Sequence, residues 1–391
     1  MLKDWNRKEQ PLLGLLGSGG GLGYLAGRVS DIADLLYTIS NSGASFTLRS
    51  VGTVNYTVDW GDGSDEETST SNTLAHTYSS SGTYKVKINS NSGATYRPKF
   101  DQSGDEDQIT SVEVGVKDSS LFGTDIQNAF RGAQNMTEYT QVSAATSAVT
   151  NFVRTWQGCS GLTSFPLIDT SSATSFSATW AQCSGFTEFP VLDFSSATNL
   201  NAAWNSCTGI TTFPTIDTSS VTNFTSTWIS CSGLTTFPVL DTSGGTSFDS
   251  AWRSCTALTT FPQIDTSSGT NFNSAWRTCS AMITFSSLDF SSGTTFVAAW
   301  RDCSSLTTYP ANQFDTTGTL ASNAFNNSWN NCALTAQSIE NILTSLDTNG
   351  SQNITLVISG GTNAAKSTWS TAANTAYTNL VNKGWTISFN S

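Results

Sequence analysis

Charged side chains are scarce in this sequence. Of its 391 residues only 12% are charged, with 17 Lys+Arg against 29 Asp+Glu, a single His and a net charge of −12. A nucleic-acid interface needs clustered Lys and Arg to contact phosphates. No basic face of that kind is visible in the sequence, so the composition argues against a nucleic-acid-binding protein.

Aromatic residues, in contrast, are plentiful. The chain contains 12 Trp, 22 Phe and 9 Tyr, which supply far more apolar surface than disordered chains carry. A chain of this length is also too long for one compact core. We therefore expect a packed protein with two or three domains or with an array of repeats.

The cysteines are evenly spaced. Seven follow one another at intervals of 24 residues, and an eighth follows after 29. They are Cys159, Cys183, Cys207, Cys231, Cys255, Cys279, Cys303 and Cys332. A Trp stands three residues before each Cys, and in the first seven units a Phe or Leu stands four residues before the Trp. Constant spacing of this kind indicates internal repetition.

Each 24-residue unit has two halves. In the first half the aromatic residue, the Trp and the Cys lie at i, i+4 and i+7, which predicts one face of a short helix. In the second half, residues 162–168 and their equivalents predict a short strand, and the Pro and Asp at its end predict a turn. Such a unit cannot bury its apolar face alone, so we expect the copies to stack as a solenoid.

The pattern W-x-x-C-S-x-L-T-x-F-P-x-I-D-T-S-S-x-T-x-F resembles the BspA-like leucine-rich repeat, a surface-protein repeat family, with Trp replacing Phe and Phe replacing Leu. The resemblance covers residues 108–332. It includes a divergent first unit with Phe130, Ala133, Met136 and Tyr139, and a last unit, lengthened by five residues, that ends at Cys332. It implies an α/β solenoid of leucine-rich-type repeats, with nine rungs spanning roughly 40 Å at about 4.8 Å per rung.

Residues 37–107 carry a second family pattern. The motifs W-G-D-G-S at residues 60–64 and H-T-Y-x-x-x-G-x-Y-x-V at residues 76–86 resemble those of PKD-type immunoglobulin-like domains. Alternating apolar residues such as Val54, Tyr56 and Val58 predict half-buried strands. The resemblance implies a small all-β immunoglobulin-like sandwich, of the kind that serves as a spacer or adhesive unit in surface proteins.

The two ends of the chain differ from the repeats. Residues 1–36 are rich in Leu and Gly, are too short and glycine-rich for a membrane span, and resemble the starts of phage virion fibre proteins. We interpret them as an apolar anchor or docking segment, with a cleaved secretory signal as the alternative. Residues 333–391 predict helices at 338–346 and 364–381 and strands at 354–358 and 385–389, an α/β cap over the last rung.

The cysteines and the acidic loop of the predicted sandwich each allow two interpretations. Buried, inert thiols are favoured over disulfides or metal ligands, because equivalent side chains on stacked rungs point in parallel and no C-x-x-C pair is present. The carboxylates at residues 59–67 suggest calcium but lack the oxygen pattern of an EF-hand loop, so a solvated turn is favoured. His76 is interpreted as a structural strand residue. We expect no metal and no cofactor.

The repeat also predicts two rows of charged residues. One row, Arg253, Arg277 and Arg301, either balances carboxylates such as Asp249 and Asp302, which we favour, or receives an anionic group of a host surface. The other is a carboxylate ladder whose like charges would repel unless each carboxylate accepts backbone hydrogen bonds in an Asx-turn, which we favour over bridging cations. The ladder consists of Asp169, Asp193, Asp217, Asp241, Asp265 and Asp289.

These features lead us to expect a non-enzymatic structural or adhesive protein of a phage virion: a tail fibre, spike or capsid decoration. Its expected partners are other virion proteins, contacted through the amino-terminal segment, and a host cell-surface glycan or protein, with homo-oligomers left open. The alternative is a bacterial cell-surface or secreted adhesin. A glycan-degrading enzyme would need a carboxylate pair in a cleft, and the regular repeat carboxylates do not nominate one.

Overall fold

A computed structural model describes residues 33–91, 94–100, 104–115, 121–141 and 145–391. These ranges include most of the sandwich and of the repeats, and the whole of the carboxyl-terminal segment. The predicted anchor at residues 1–36 lies almost wholly outside the described residues.

Two facing sheets form the amino-terminal sandwich, which confirms the predicted immunoglobulin-like architecture. Its strands are β1 (Leu35–Ser42), β2 (Ser45–Val51), β3 (Tyr56–Asp59), β4 (Glu67–Ser69), β5 (Thr73–Thr77), β6 (Ser81–Ser90) and β7 (Arg97–Pro98). One sheet contains β4, β3, β6 and β1, and the other contains β5, β2 and β7. Every second residue of β1 is buried, as expected of a strand with one face on a core. Tyr56 and Tyr96 meet edge to face inside the sandwich, with ring centroids 5.0 Å apart.

The sandwich passes into the repeats through one continuous sheet. Strand β8 (Ile109–Val114) pairs antiparallel with β1 and parallel with β9 (Glu138–Gln141). The larger sheet thus has the order β4-β3-β6-β1-β8-β9, and its last two strands lie within residues 108–332, the range of the predicted repeats. Bending the molecule here would break ladder hydrogen bonds, so the junction is a hydrogen-bonded joint rather than a flexible linker.

The repeat units lie one on another in register. Parallel bridges connect residues 24 positions apart, such as Asn199 to Asn223 and Asn223 to Ser247, and a second series includes Thr212 to Thr236. Each unit therefore forms one rung of a stack that we call the repeat stack.

The first half of each rung is not a helix, so the helix prediction was wrong. In one unit the backbone N–H groups of Phe176, Ala178 and Trp180 donate to carbonyls of the next rung at 2.8–3.0 Å, whereas a helix would bond within itself. Ala178 and Gln182 have left-handed φ angles of 54° and 65°. The segment is a ribbon of four-residue turns. The ribbon also buries Phe176, Trp180 and Cys183 at i, i+4 and i+7, so this short pattern cannot distinguish it from a helix.

The strand predicted for the second half is present only in part. Across units, single bridges such as Thr260 to Thr284 and Thr284 to Thr308 replace a full ladder. The Pro that follows the aromatic residue has no N–H to donate, which limits how far pairing can extend.

Three columns of rings fill the repeat stack. From Trp156 to Trp300, successive Trp centroids are 5.5–6.0 Å apart and their planes lie within 10° of parallel. Phe130 begins this column and Trp329 ends it, as the divergent first and last units predict. A second column stacks the aromatic residues six positions after the first seven Cys, and Tyr139 of the divergent first unit begins it by stacking on Phe165 at 5.7 Å. The third stacks the Phe residues four positions before each Trp, and Leu200 interrupts it.

The carboxyl-terminal segment contains α1 (Ala336–Asn349), β10 (Thr355–Ile358), α2 (Thr371–Asn382) and β11 (Thr386–Phe389). The predicted order of helices and strands is found, but α2 begins later than predicted because Ser370 caps it by accepting a hydrogen bond from the Ala373 N–H. Strand β10 continues the repeat stack, because the Trp329 N–H donates to the Val357 carbonyl. Trp385 stacks on Phe325 at 6.3 Å and closes one ring column.

Candidate functional surfaces

The cysteine thiols are buried and unoxidised, and each donates a hydrogen bond to the equivalent residue of the preceding rung. All eight are free, and each donates to the carbonyl of the Trp, or of Phe130 in the first unit, one rung earlier. The Cys231 thiol, for example, lies 3.1 Å from the Trp204 carbonyl oxygen. Burial raises the pKa of Cys231 to about 12 and likewise raises the pKa of Cys303 to about 12. The thiols therefore connect neighbouring rungs as neutral donors and are poor nucleophiles.

The aspartates of the ladder sit in turns of their own. The Asp217 carboxylate accepts from the Ser219 N–H at 3.0 Å and from its hydroxyl at 2.7 Å, and the same pair of bonds recurs in four other units. At Asp289 the Ser291 N–H donates at 2.8 Å. The Ser219 hydrogen bonds lower the pKa of the Asp217 carboxyl. This is the geometry of an Asx-turn, with one carboxylate oxygen of each Asp engaged by its turn.

The three arginines align on successive rungs, but their partners differ. The Nε atoms of Arg277 and Arg301 lie 3.6 and 3.3 Å from the same Asp302 oxygen. Arg253 has no ion pair among the described residues, and Asp249 instead accepts a hydrogen bond from Ser250. The row therefore combines one shared carboxylate with an uncompensated guanidinium at its amino-terminal end.

The acidic loop of the sandwich uses its carboxylates on protein partners. Asp59 pairs with Lys87 at 3.0 Å, and Glu67 accepts from the indole N–H of Trp60. Asp62 accepts from the Ser64 hydroxyl and from the Ser64 N–H, and it lies 2.8 Å from His76 Nε2. These three hydrogen bonds lower the pKa of Asp62 to about 2. Within the described residues no group of His, Cys, Asp or Glu is arranged to hold a metal ion.

His76 lies in the aromatic edge of the sandwich. Its ring stacks on Trp60 at 4.7 Å and 13° and meets Tyr78 edge to face at 4.8 Å. The W-G-D-G-S and H-T-Y motifs thus meet through these rings and the Asp62 contact, which gives His76 a packing role.

Sequence reasoning missed an exposed apolar row on the repeat stack. It occupies the position two residues after the second-column aromatic, with Leu167, Val191 and Val239 exposed by 72%, 62% and 63%. Thr215 interrupts the row, and polar Gln263 and Ser287 continue it. The signal was present in F-P-L and F-P-V, but that position varies among units. We call the segment from Leu167 to Val239 the apolar row.

Comparison with known proteins identifies one part of the chain. Residues 33–109 match the family model described as PKD domain, in agreement with the sandwich. No curated protein and no solved structure matches the chain. In the portion covered by the structure, no helix has both the length and the apolar character to cross a membrane.

Proposed function

We propose that this protein is a non-enzymatic structural and adhesive component of a phage virion: a tail fibre, spike or capsid decoration. In this proposal the repeat stack is a BspA-like solenoid that serves as a rod, with a ribbon of turns where the resemblance implies a helix. The PKD domain is its spacer, residues 1–36 attach it to other virion proteins, and the carboxyl-terminal segment closes it. A second copy of the chain is a further partner that the proposal leaves open.

The observation that carries the proposal is the continuity of packing along the molecule. One hydrogen-bonded sheet extends from β4 to β9, and a ring column extends from Phe130 to Trp329 without a missing aromatic. Each rung is bonded to the next through backbone groups, so bending at any point costs hydrogen bonds and ring contacts together. A rod of this kind suits a spacer that holds an attachment surface away from a particle.

The thiols favour a virion over an exported adhesin. Eight reduced cysteines are needed for the rung-to-rung contacts, and an exported chain would expose all of them, unfolded, to an oxidising compartment where disulfides form. A virion protein folds in the reducing cytoplasm and leaves the cell only after its thiols are buried. Buried thiols whose pKa burial raises then resist oxidation outside the cell.

The surface chemistry limits where a host ligand could be held. No aromatic side chain is exposed in the described part of the chain, so the stacking platforms on which proteins often hold sugars are not offered there. Arg253, Arg277 and Arg301 form the strongest local concentration of positive charge on the repeat stack. Among the described residues, the one carboxylate that pairs with this row is Asp302, which contacts Arg277 and Arg301. We assign the host contact to this row and expect an anionic group, such as a phosphate or sugar acid, as ligand.

Mass spectrometry of purified particles tests the proposal. Particles should be banded by density from a culture that makes the protein, and the cell envelope should be collected separately. We expect the chain in the particle band with its amino terminus intact. A chain found in the envelope with a mature start near Arg28 would refute the virion assignment and support the secreted or cell-surface adhesin.

Substitution of the arginine row tests the ligand assignment. The triple variant Arg253→Gln, Arg277→Gln, Arg301→Gln should lose binding to host cells, with the loss greatest at low salt because the contact is between charges. Arg154→Gln, which changes an arginine of the repeat stack outside this row, is the matched control. Unchanged binding by the triple variant, with its melting temperature intact, would remove the row as the host contact.

A further inference from the structure

Three aromatic rings of the carboxyl-terminal segment surround one ammonium group. Trp369 precedes α2, Tyr377 lies on α2 and Phe389 ends β11. Each pair of rings meets at 60–89°, with centroids 5.4–6.0 Å apart. Lys366 extends into the space between them. Its Nζ atom lies 3.5 Å from the Tyr377 centroid, 4.9 Å from that of Phe389 and 6.0 Å from that of Trp369. We call these three rings the aromatic cage.

The rings are what holds this ammonium group. In the portion that the structure describes, Lys366 forms no ion pair, whereas Lys383, the other lysine of the segment, pairs with Asp347 at 2.6 Å. A cation within about 6 Å of a ring face is attracted by the negative charge of the π system. Lys366, Tyr377 and Phe389 are only half-buried, so the site opens to water. The aromatic cage is therefore an accessible cation site whose present occupant belongs to the chain.

Hydrogen bonds hold the aromatic cage in place. The Trp369 indole N–H donates to the Ala364 carbonyl at 3.3 Å, and its backbone N–H donates to the Lys366 carbonyl at 3.1 Å. The Lys366 N–H donates to the Asn390 carbonyl at 3.0 Å, which ties this turn to the end of β11. None of these bonds involves the Lys366 ammonium group, so the rings stay arranged for a cation when that group leaves.

A quaternary ammonium group suits this cage better than lysine does. The primary ammonium of Lys366 is compact and strongly hydrated, so leaving the rings restores its contacts with water. A quaternary ammonium carries the same charge to the ring faces, and its methyl groups also bury apolar surface against them. The flexible four-carbon stem of lysine lets the ammonium swing out without movement of the backbone.

We propose that the aromatic cage binds a quaternary ammonium group, such as that of choline, and that Lys366 occupies the cage in the free protein and leaves it on binding. This site is separate from the arginine row, for which an anionic ligand is expected. The proposal goes beyond the proposed function, because it holds for a virion protein and for an adhesin alike.

Calorimetric titration of the full-length protein with choline chloride tests the site. Ionic strength should be held constant with sodium chloride, which also provides the blank. The neutral analogue, in which carbon replaces the choline nitrogen, has the same shape and no charge. We expect saturable choline binding. Binding of the neutral analogue should be at least about fivefold weaker, because the attraction between the cation and the rings is missing.

Substitutions assign the binding to the aromatic cage. Lys366→Ala removes the competing ammonium group and should tighten choline binding by at least about fivefold. Tyr377→Leu removes the nearest ring and should weaken binding by a similar factor, and Phe389→Leu is a second ring removal. Tyr84→Leu, which removes a half-buried ring of the sandwich, is the matched control and should bind choline as the native chain does.

Three results would overturn the proposal. The first is absence of saturable choline binding by both the native chain and Lys366→Ala. The second is equal binding of choline and its neutral analogue. The third is unchanged choline affinity in both Tyr377→Leu and Phe389→Leu, with melting temperatures near that of the native chain. Tighter binding by Lys366→Ala together with weaker binding by the ring variants would support it.

Discussion

If the first half of each rung is a ribbon of turns and not a helix, two adjacent alanines should respond in opposite ways to substitution by glycine. Ala202 and Ala203 are adjacent, but Ala202 has a left-handed φ of 54° and Ala203 does not. An L-residue in that conformation is strained by about 1–2 kcal/mol, and glycine relieves the strain at an entropic cost of about 0.5–1 kcal/mol. Ala202→Gly should therefore raise the unfolding free energy by about 0.5–1 kcal/mol.

The neighbouring substitution should have the opposite sign. Ala203 is fully buried, so Ala203→Gly has no strain to relieve and meets the same entropic cost. It also loses the burial of a methyl group, worth about 0.8 kcal/mol. A loss of roughly 1.5 kcal/mol is expected, which places the two variants about 2 kcal/mol apart.

Urea unfolding followed by tryptophan fluorescence measures this difference, because the Trp column reports directly on the stack. Both variants should unfold with the same m-value as the native chain, in which case the shift in urea midpoint reflects a change in stability alone. In a helix Ala202→Gly would also be destabilising, by about 0.5–1 kcal/mol. Destabilisation by Ala202→Gly would therefore refute the ribbon, whatever Ala203→Gly costs.

Two further predictions concern the core. Burial raises the pKa of the eight thiols above the ordinary value of 9.0, to about 12 for Cys231, so the unfolded chain releases protons first. The thiols' contribution to the unfolding free energy is fully present below pH 9. Above it the unfolding free energy should fall by up to about 11 kcal/mol per pH unit, since eight protons are involved. Urea unfolding at several pH values tests this, and Cys231→Ser should make the fall with pH less steep by about one eighth. Gly269→Ala should cost about 1–3 kcal/mol because the added Cβ would press into the Phe272 ring. Ser268→Ala, an exposed neighbour, should change the melting temperature little, and equal melting of the two variants would contradict the packing argument.

The sequence reveals which side chains share a column, because alignment at a fixed period needs no knowledge of the backbone. Stacked Trp, Phe and Cys columns follow from spacing alone, and the W-G-D-G-S motif is sufficient to place the sandwich. Helix α1 was predictable because its apolar pattern is long enough to exclude other periods and Gly350, in a left-handed conformation, ends it.

The backbone of the rung was not predictable in the same way. In most rungs its left-handed positions hold residues such as Ala, Ser, Gln or Thr rather than Gly. These residues adopt that conformation because the next rung accepts their hydrogen bonds. The continuous sheet at the junction depends on β1 pairing with β8, some seventy residues later, and no local pattern encodes such a contact. The sequence also could not predict whether Arg253 forms an ion pair, because this depends on the direction of the side chains. Asp249 accepts a hydrogen bond from Ser250 instead.

The regularity that builds the repeat stack also creates a problem of register. A slip by one whole unit would place Trp on Trp, Phe on Phe and thiol on carbonyl again, so the columns alone cannot specify which rungs are neighbours. The ends remove the ambiguity. At one end Leu35 of the sandwich pairs with Val114 of β8, and at the other Phe325 contacts Leu356 and Trp385 of the carboxyl-terminal segment. Interruptions of a column, such as Leu200, also distinguish one rung from the others. The sandwich and the carboxyl-terminal segment therefore fix the length and register of a stack whose interior is nearly uniform.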